Sequence, residues 1–472
     1  MNSLIQKIKG TKHQQQQPEQ SSKENFDDID IDHKDYKHQA TSEPSEAIKQ
    51  EEKKYDQARQ ISIIVIGCGN RGYVYTVYAK ERPNRLKVVA VADPIKFRRE
   101  KIGGSFNLPQ DQIYENWKDI VAKDKFADAV LISSPDVYHA EQAVAFANKG
   151  YNILLEKPMA TSLEDCKRIV AAVKANNVIL AVCHVLRYTP YTQKIKQLID
   201  SGRIGKVLNI THLEPVGYFH AAHSYVRGNW SVEEKSSFML LTKSCHDLDL
   251  IHYFMGEHCK KISSFGSLSY FKKENKPKEA GDAKSCLECP IVDRCPYSAK
   301  TIYLQYYPWK REVVVPDKEP TLQNVKSALV DGPYGRCVYG GCDNNVVDQQ
   351  VVNLEFDSGN TASFSMVSFT QEMCVRKIVI HGSHGQLKCD GYTIDYDDFS
   401  MGDKEIFKPE MVADTRLTGH NGADYYLVRS FVYAVATNDP SQILSSADDT
   451  LQSHLLVFNA EQSRKEERVV KC

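Results

Sequence analysis

The chain reads as an α/β protein in two parts, a doubly wound parallel sheet followed by an α/β domain built on a largely antiparallel sheet. Three observations carry that reading. From Ile61 to about Val182, short apolar runs alternate with helical stretches, the rhythm of strand–crossover–strand units. A glycine turn, Gly67-Cys68-Gly69-Asn70-Arg71-Gly72, separates the first run from the first helix of that series. After about Arg187 the runs lengthen and are joined by turns such as Asp357-Ser358-Gly359-Asn360, which is antiparallel patterning.

Taken in order, the first sixty residues carry the run Gln14–Gln17, the acidic stretch Asp27, Asp28, Asp30 and Asp32, and few aliphatic side chains. They cannot bury enough apolar surface to offset their ordering entropy, so residues 1–60 are expected to be a disordered polar tail, with a helical stretch near Glu46 to Arg59. Ile61–Ile66 is a β-branched run, as in a strand buried on both faces. A helix to about Glu81 and a strand at Leu86–Ala92 follow. Further strands are predicted at Ala129–Ser133, Asn152–Leu155 and Val178–Val182, with helices at His139–Lys149 and Leu163–Asn176. The second part, 188–472, carries strands at Val207–Glu214, Val346–Phe356, Thr361–Phe369, Arg376–Gly382 and Gln386–Asp390. Its helices are expected at His246–Phe254 and over Tyr425–Glu461. A polar, proline-bearing insertion spans about 272–343.

Composition narrows the function classes. The 472 residues are 42% hydrophobic and 26% charged, enough apolar material for a sizeable core, and the net charge is -1. Near-neutrality gives no reason to expect nucleic acid or an anionic membrane as partner. The longest apolar stretch, around Val178–Val185, is too short to span a bilayer. With no apolar signal core at the N-terminus and an odd 13 cysteines, a cytoplasmic, reducing setting is expected.

The glycine turn lies where a dinucleotide loop belongs. Gly67 allows the tight turn, Gly69 lets a pyrophosphate approach the backbone, and Gly72 permits close helix–strand packing. The helix N-terminus at Asn70 and Arg71 presents free N–H groups and partial positive charge to phosphates. Asp93 ends the second strand, about twenty residues beyond Gly72, where a carboxylate accepts from ribose hydroxyls and disfavours a 2′-phosphate. NAD is therefore expected over NADP, although Arg98 and Arg99 follow closely. Glu156-Lys157-Pro158 directly follows the strand Asn152–Leu155, so Lys157 should project into the cofactor crevice at the carboxyl ends of the strands.

Gly67–Gly72, Asp93, Ser134-Pro135-Asp136-Val137-Tyr138-His139, Glu156-Lys157-Pro158 and His184 to Arg187-Tyr188, in this order and spacing, resemble the Gfo/Idh/MocA oxidoreductases, over about residues 61–465. The resemblance implies a Rossmann domain over 61–187 and a second α/β domain whose open sheet faces the nicotinamide and often makes homo-oligomers. It implies hydride transfer between NAD(P) and a hydroxyl carbon of a sugar or cyclitol. Carried over position by position, Ser134, Pro135, His139 and Glu156 join the cofactor residues. Lys157 lies near the reacting hydroxyl, and His246 of Ser244-Cys245-His246-Asp247-Leu248-Asp249 takes part in proton transfer. The sequence departs from the family where an aspartate commonly precedes that histidine by four residues. Thr242 stands there, so either Asp247 or Asp249 takes its place or the proton route differs.

Two further segments stand out. The loop Tyr218 to Trp230 gathers aromatics, histidines and an arginine, a mixture suited to a sugar-like ligand or to a packed crossover. His220, His223 and Tyr225, with Arg187, are the substrate-side candidates, and Arg227 would suit a carboxylate or phosphate. Cys286, Cys289 and Cys295, with Cys337 and Cys342 downstream, offer four thiolates for structural zinc, which would order an insertion with little core of its own. Free thiols, an iron–sulfur cluster or a disulfide are the other readings. Two functions stay open beside the sugar or polyol dehydrogenase: an NAD-retaining glycosidase or lyase with an internal redox cycle, and a non-catalytic NAD(H) sensor or scaffold.

Overall fold

The computed structural model describes residues 45–410, 415–417, 419–420 and 422–472. The first sheet is parallel throughout, with strands β1 (Ile61–Ile66), β2 (Leu86–Ala92), β3 (Ile113–Tyr114), β4 (Ala129–Ile132), β5 (Asn152–Leu155) and β6 (Leu180–Val182) in the order β3-β2-β1-β4-β5-β6. The strand order reverses at β1, between β2 and β4, which opens a crevice at their carboxyl ends. β4 is wholly buried and β1 nearly so, as their continuous apolar runs require. Short β3 was not foreseen, because two residues give no readable period.

The second sheet orders its nine strands β14-β13-β12-β11-β7-β10-β9-β8-β15. They are β7 (Val207–Pro215), β8 (Cys259–Ser267), β9 (Gln349–Phe356), β10 (Thr361–Val367), β11 (Lys377–Gly382), β12 (Gly385–Cys389), β13 (Ile394–Asp398), β14 (Lys404–Phe407) and β15 (Val470–Lys471). Among the described residues of this sheet only β7 and β10 pair in parallel. Along β10 buried Ala362, Phe364 and Met366 alternate with more open residues, so one face packs on the core and the other is accessible. That outer face exposes Leu208, Phe265 and Val351.

One segment read as tail is ordered, and the terminal helical stretch divides in two. The helix Glu46–Asp56, inside the stretch read as tail, is docked on the first domain. Glu52 receives Arg85, Tyr425 and Arg429, and Tyr55 is buried. Ion pairs to buried arginines order it where apolar content could not; residues 1–44 of the expected tail lie outside the described residues. The run Tyr425–Glu461 is two helices, Ala423–Thr437 and Ala447–Glu466, broken where Asn438 takes φ 54° ahead of Pro440. The first returns to the parallel sheet, where Tyr425, Phe431 and Val432 share a core with β1 and the helix Asn70–Glu81. The second packs on both domains.

The insertion is a packed body. Tyr297, Ile302, Tyr303, Val325, Leu329, Tyr334, Val338 and Tyr339 are buried in one core with the second sheet. Arg227, 4% exposed, pins it by donating to the carbonyls of Arg336 (2.8 Å) and Tyr297 (2.7 Å) and to Cys286 Sγ (3.2 Å).

Candidate functional site

The dinucleotide cradle forms where β1 ends. Gly67 takes φ +86°, and a Cβ there would lie 2.6 Å from the Ser133–Ser134 backbone. A Cβ on Gly72 would lie 2.1 Å from Gly67 O, so helix and turn touch only because both are glycine. Gly69 is the N-cap of the helix Asn70–Glu81, and its own Cβ would meet nothing nearer than Arg98 Nη1 at 3.7 Å. Open space above free helix N–H groups fits a pyrophosphate. Overpacking costs about 1–3 kcal/mol, so Gly72→Ala should weaken NAD binding about tenfold or more by titration; unchanged affinity would detach the cradle from the cofactor.

Asp93 is buried and braces this loop. Oδ2 accepts from Cys68 N–H at 2.7 Å and Oδ1 from Ile95 N–H at 2.8 Å. Ser134 Oγ donates to Gln142 (2.6 Å), and Pro135 is exposed beside it. His139 is fully buried, its ring nitrogens on Pro158 O (2.7 Å) and Ser134 O (3.0 Å), so it ties two loops together rather than facing the crevice. Arg71, expected at the phosphates, turns inward. Its Nε donates to Glu156 Oε1 (2.7 Å) and its other nitrogens to Asp424 (2.8 and 3.0 Å). Burial pushes the Glu156 carboxyl up, but Arg71 and Lys157 outweigh it and hold it below the usual range. Glu156 is therefore a brace at the strand end, and what Arg71 offers a phosphate is its backbone.

Lys157 stands at the carboxyl end of β5, joined to Pro158 by a cis peptide. Its Nζ donates to the Thr242 carbonyl at 2.6 Å. The position where the family commonly has an aspartate thus contributes a backbone oxygen. Neither proposed replacement serves. Asp249 receives Arg187 through both oxygens (2.7 and 2.8 Å), and Asp247 receives Arg376 (2.7 Å) and lies 3.0 Å from His212 Nε2. Burial raises each of these carboxyls, and the neighbouring arginine more than reverses it.

His246 opens the helix Cys245–Met255 and is 5% exposed. Burial, helped by Lys157, His184 and Arg376, carries its pKa well below the ordinary imidazole value. It is neutral at pH 7, the state a proton acceptor needs. His184 lies edge-on between His246 and His454, with ring centroids 5.5 Å apart in both contacts. Burial takes His184 down to about 4 against the pull of Asp249, and His454 to about 3. Unfolded imidazoles take protons below about pH 6.5, which the folded ones refuse until near pH 4 and 3. Stability present above pH 6.5 is therefore lost as the pH falls toward 4. Melting curves between pH 7 and 4.5 should show it, and a flat melting temperature would contradict neutral burial.

The substrate-side candidates separate. Arg187 is 3% exposed, bound to Asp249 and to Leu444 O (2.6 Å), and is structural. His223 bonds the Tyr303 hydroxyl (2.9 Å) and stacks on Tyr334, so it faces the insertion. His220 and Tyr225 remain near the site: His220 lies within the fields of Lys310, Lys243 and Lys157, and Tyr225 within that of Lys243.

The cysteines do not make the expected zinc site. Among the described residues no group of three or more His, Cys, Asp or Glu side chains is arranged to hold a metal ion, and Cys286, Cys289, Cys295, Cys337 and Cys342 are free thiols. Two premises fail. The insertion has a core of its own, and the Arg227 guanidinium already places a cation against Cys286.

Instead the insertion meets the cofactor side of the molecule. A cleft is lined by Gly69, Asn70 and Arg98 on one side and by Glu312, Val315 and Pro316 on the other, and Lys101 Nζ bonds Glu312 Oε1 at 2.7 Å across it. Sequence reasoning missed this wall, along with Lys243 and Lys310. Lys243 adjoins the Thr242 position, and Lys310 ends the aromatic run Tyr306-Tyr307-Pro308-Trp309, signals available only to a reader expecting the insertion at the site.

Residues 61–184 match the model of an oxidoreductase family with an NAD-binding Rossmann fold, and residues 196–472 match that family's C-terminal alpha/beta domain. The chain is 22% identical to the oxidoreductase YteT of Bacillus subtilis over 334 residues, 69% of this chain and 76% of that protein. It is 28% identical to a scyllo-inositol 2-dehydrogenase (NAD(+)) of the same organism over 212 residues, 44% of this chain and 58% of that one. A levoglucosan dehydrogenase solved with NADH and levoglucosan superposes with TM-score 0.64 at 17% identity, covering 88% of this chain and 99% of its own. That likeness concerns the fold. Among the described residues no helix is long and apolar enough to cross a membrane.

Proposed function

Because the chain belongs to the Gfo/Idh/MocA oxidoreductase family, we propose that it transfers a hydride between NAD(P) and a hydroxyl carbon of a sugar, sugar derivative or cyclitol. The observation that carries this reading is Lys157, held at the end of β5 by the Thr242 carbonyl, with neutral His246 close enough to feel its charge. The nicotinamide, when bound, supplies the hydride chemistry. The cradle Gly67–Gly72 would hold the pyrophosphate at the helix N-terminus, and Asp93, with a lone pair left on each oxygen, would favour the unphosphorylated ribose of NAD. His246 accepts the proton of the reacting hydroxyl. Lys157 orients that oxygen and stabilises the negative charge it develops.

A second reading gains from the insertion. Val313 and Pro316 cover the cleft at Gly69, and the Lys101–Glu312 contact ties the cover down. A cofactor beneath such a wall exchanges slowly, which suits an internal redox cycle in a glycosidase or lyase. Mass spectrometry of nucleotide released by denaturing the purified protein separates the two. Stoichiometric NAD or NADH supports retention, whereas an empty site that binds added NAD supports an exchangeable cosubstrate. Bound NAD without hydride exchange to any labelled polyol would leave only a sensor or scaffold. The accessible face bearing Leu208, Phe265 and Val351 is the proposed surface for homo-oligomers. Phe265→Glu should shift the sedimentation profile toward monomer, and an unchanged profile would dismiss that face.

A further inference from the structure

The charged groups around the proposed hydride site do not balance. Arg71 is matched by Glu156 and Asp424, and Arg376 by Asp247. Lys243 Nζ lies 2.9 Å from Glu214 Oε1 and donates to Cys374 Sγ at 2.9 Å. Of the ammonium groups around this site, two bond only neutral atoms among the described residues. Lys157 has the Thr242 carbonyl, and Lys310 has His220 Nδ1 at 2.9 Å. Lys310 is 4% exposed. A buried ammonium without a carboxylate is costly, and the folded chain bears that cost where a ligand is to supply the missing charge.

The location fits such a role. Lys310 comes from the insertion, two residues before Glu312, which closes the cofactor cleft. Its partner His220 is depressed first by burial and then by Lys310, Lys243, His223 and Lys157, so the charges of three lysines act on one imidazole. A neutral His220 can only accept from Lys310, the Trp309 ring lies 4.0 Å from the same ammonium, and neither brings it a full negative charge. Burial pulls Lys310 itself to about 7; Cys374 opposes the shift and Lys243 adds to it. An anion beside it would restore the full charge.

We propose that Lys310 is an anion receptor in the substrate half of the cleft, and that the sugar or cyclitol presented to Lys157 carries a carboxylate or a phosphate. This rests on the hydride-transfer reading for the word substrate, but not for the anion site itself. Calorimetric titration of the NAD-loaded full chain with glucuronate, glucose 6-phosphate, inorganic phosphate and glucose tests it. At least one anion should bind about tenfold or more tightly than glucose. Lys310→Met should erase that preference while keeping NAD affinity, and without ligand it should melt no lower than the wild type, since it removes an unpaired charge. Lys310→Arg should retain the preference. Stronger binding of glucuronate assigns a sugar acid, and of the phosphates a phosphorylated sugar. Absence of Lys310-dependent binding for every anion, or an unchanged preference in Lys310→Met, overturns the proposal. If no probe yields NADH or exchanges hydride while Lys310-dependent binding persists, the anion site stands and the hydride reading falls.

Discussion

Lys157→Ala should lower turnover by roughly 10²–10⁴-fold while leaving NAD affinity within about twofold, the loss typical of removing a positioned proton-transfer or charge-stabilising group. The Nζ is fixed by one short bond to Thr242 O, and the backbone N–H of Lys157 is fixed by Glu156 Oε2 at 2.8 Å. Truncating the side chain leaves that second bond, the strand end and the Gly67–Gly72 cradle intact, so the cofactor side should not notice. Single-turnover hydride transfer to bound NAD, compared with NADH titration on the same sample, separates the two effects. Turnover within about threefold of the wild type would remove Lys157 from the chemistry. A parallel loss of NAD binding would show that it acts through the fold.

The second large effect is on stability. Arg187→Ala should destabilise the protein by about 3–5 kcal/mol, because it strands the Asp249 carboxylate at 1% exposure with its bidentate partner gone. The same change frees Leu444 O and empties the space over Tyr253, where the guanidinium stacks 4.7 Å from the ring centroid. Denaturant unfolding of this variant reads the loss directly. The double variant Arg187→Met, Asp249→Leu should recover much of it, since it removes the orphaned charge as well as its partner. If Arg187→Ala instead kept its stability and raised KM alone, Arg187 would belong with the substrate.

The parallel domain was legible because its signals are local. β1, β5 and the glycine turn are each stated by adjacent residues: an isoleucine- and valine-rich run, the apolar Ile153-Leu154-Leu155 and three glycines at fixed spacing. The turn also carries its own proof, since the 2.1 Å approach of a Gly72 Cβ to Gly67 O excludes every other residue. The helix Glu46–Asp56 was legible as a helix, but its place against the first domain was not, for the opposite reason. Its docking depends on Arg85 and Arg429, which lie far along the chain. Arg187, His139 and His223 carry functional-looking side chains in suggestive places, yet each is consumed by partners that only folding brings near. The cysteine spacing misled because spacing shows which thiols could meet, whereas the Tyr- and Val-rich core of the insertion had already ordered the segment.

The sequence by itself determined the parallel strands β1, β2, β4, β5 and β6, the dinucleotide loop, and the placement of Lys157 at a strand end, since each depends on residues within a few positions of one another. Only the tertiary structure decided what faces Lys157. It put the Thr242 carbonyl where a carboxylate was expected, sent Asp247 and Asp249 to Arg376 and Arg187, and carried Lys310 from a distant insertion onto His220. The reason is physical. A buried charge takes whichever counter-charge or dipole packing leaves within about 3 Å, and packing depends on the whole chain at once.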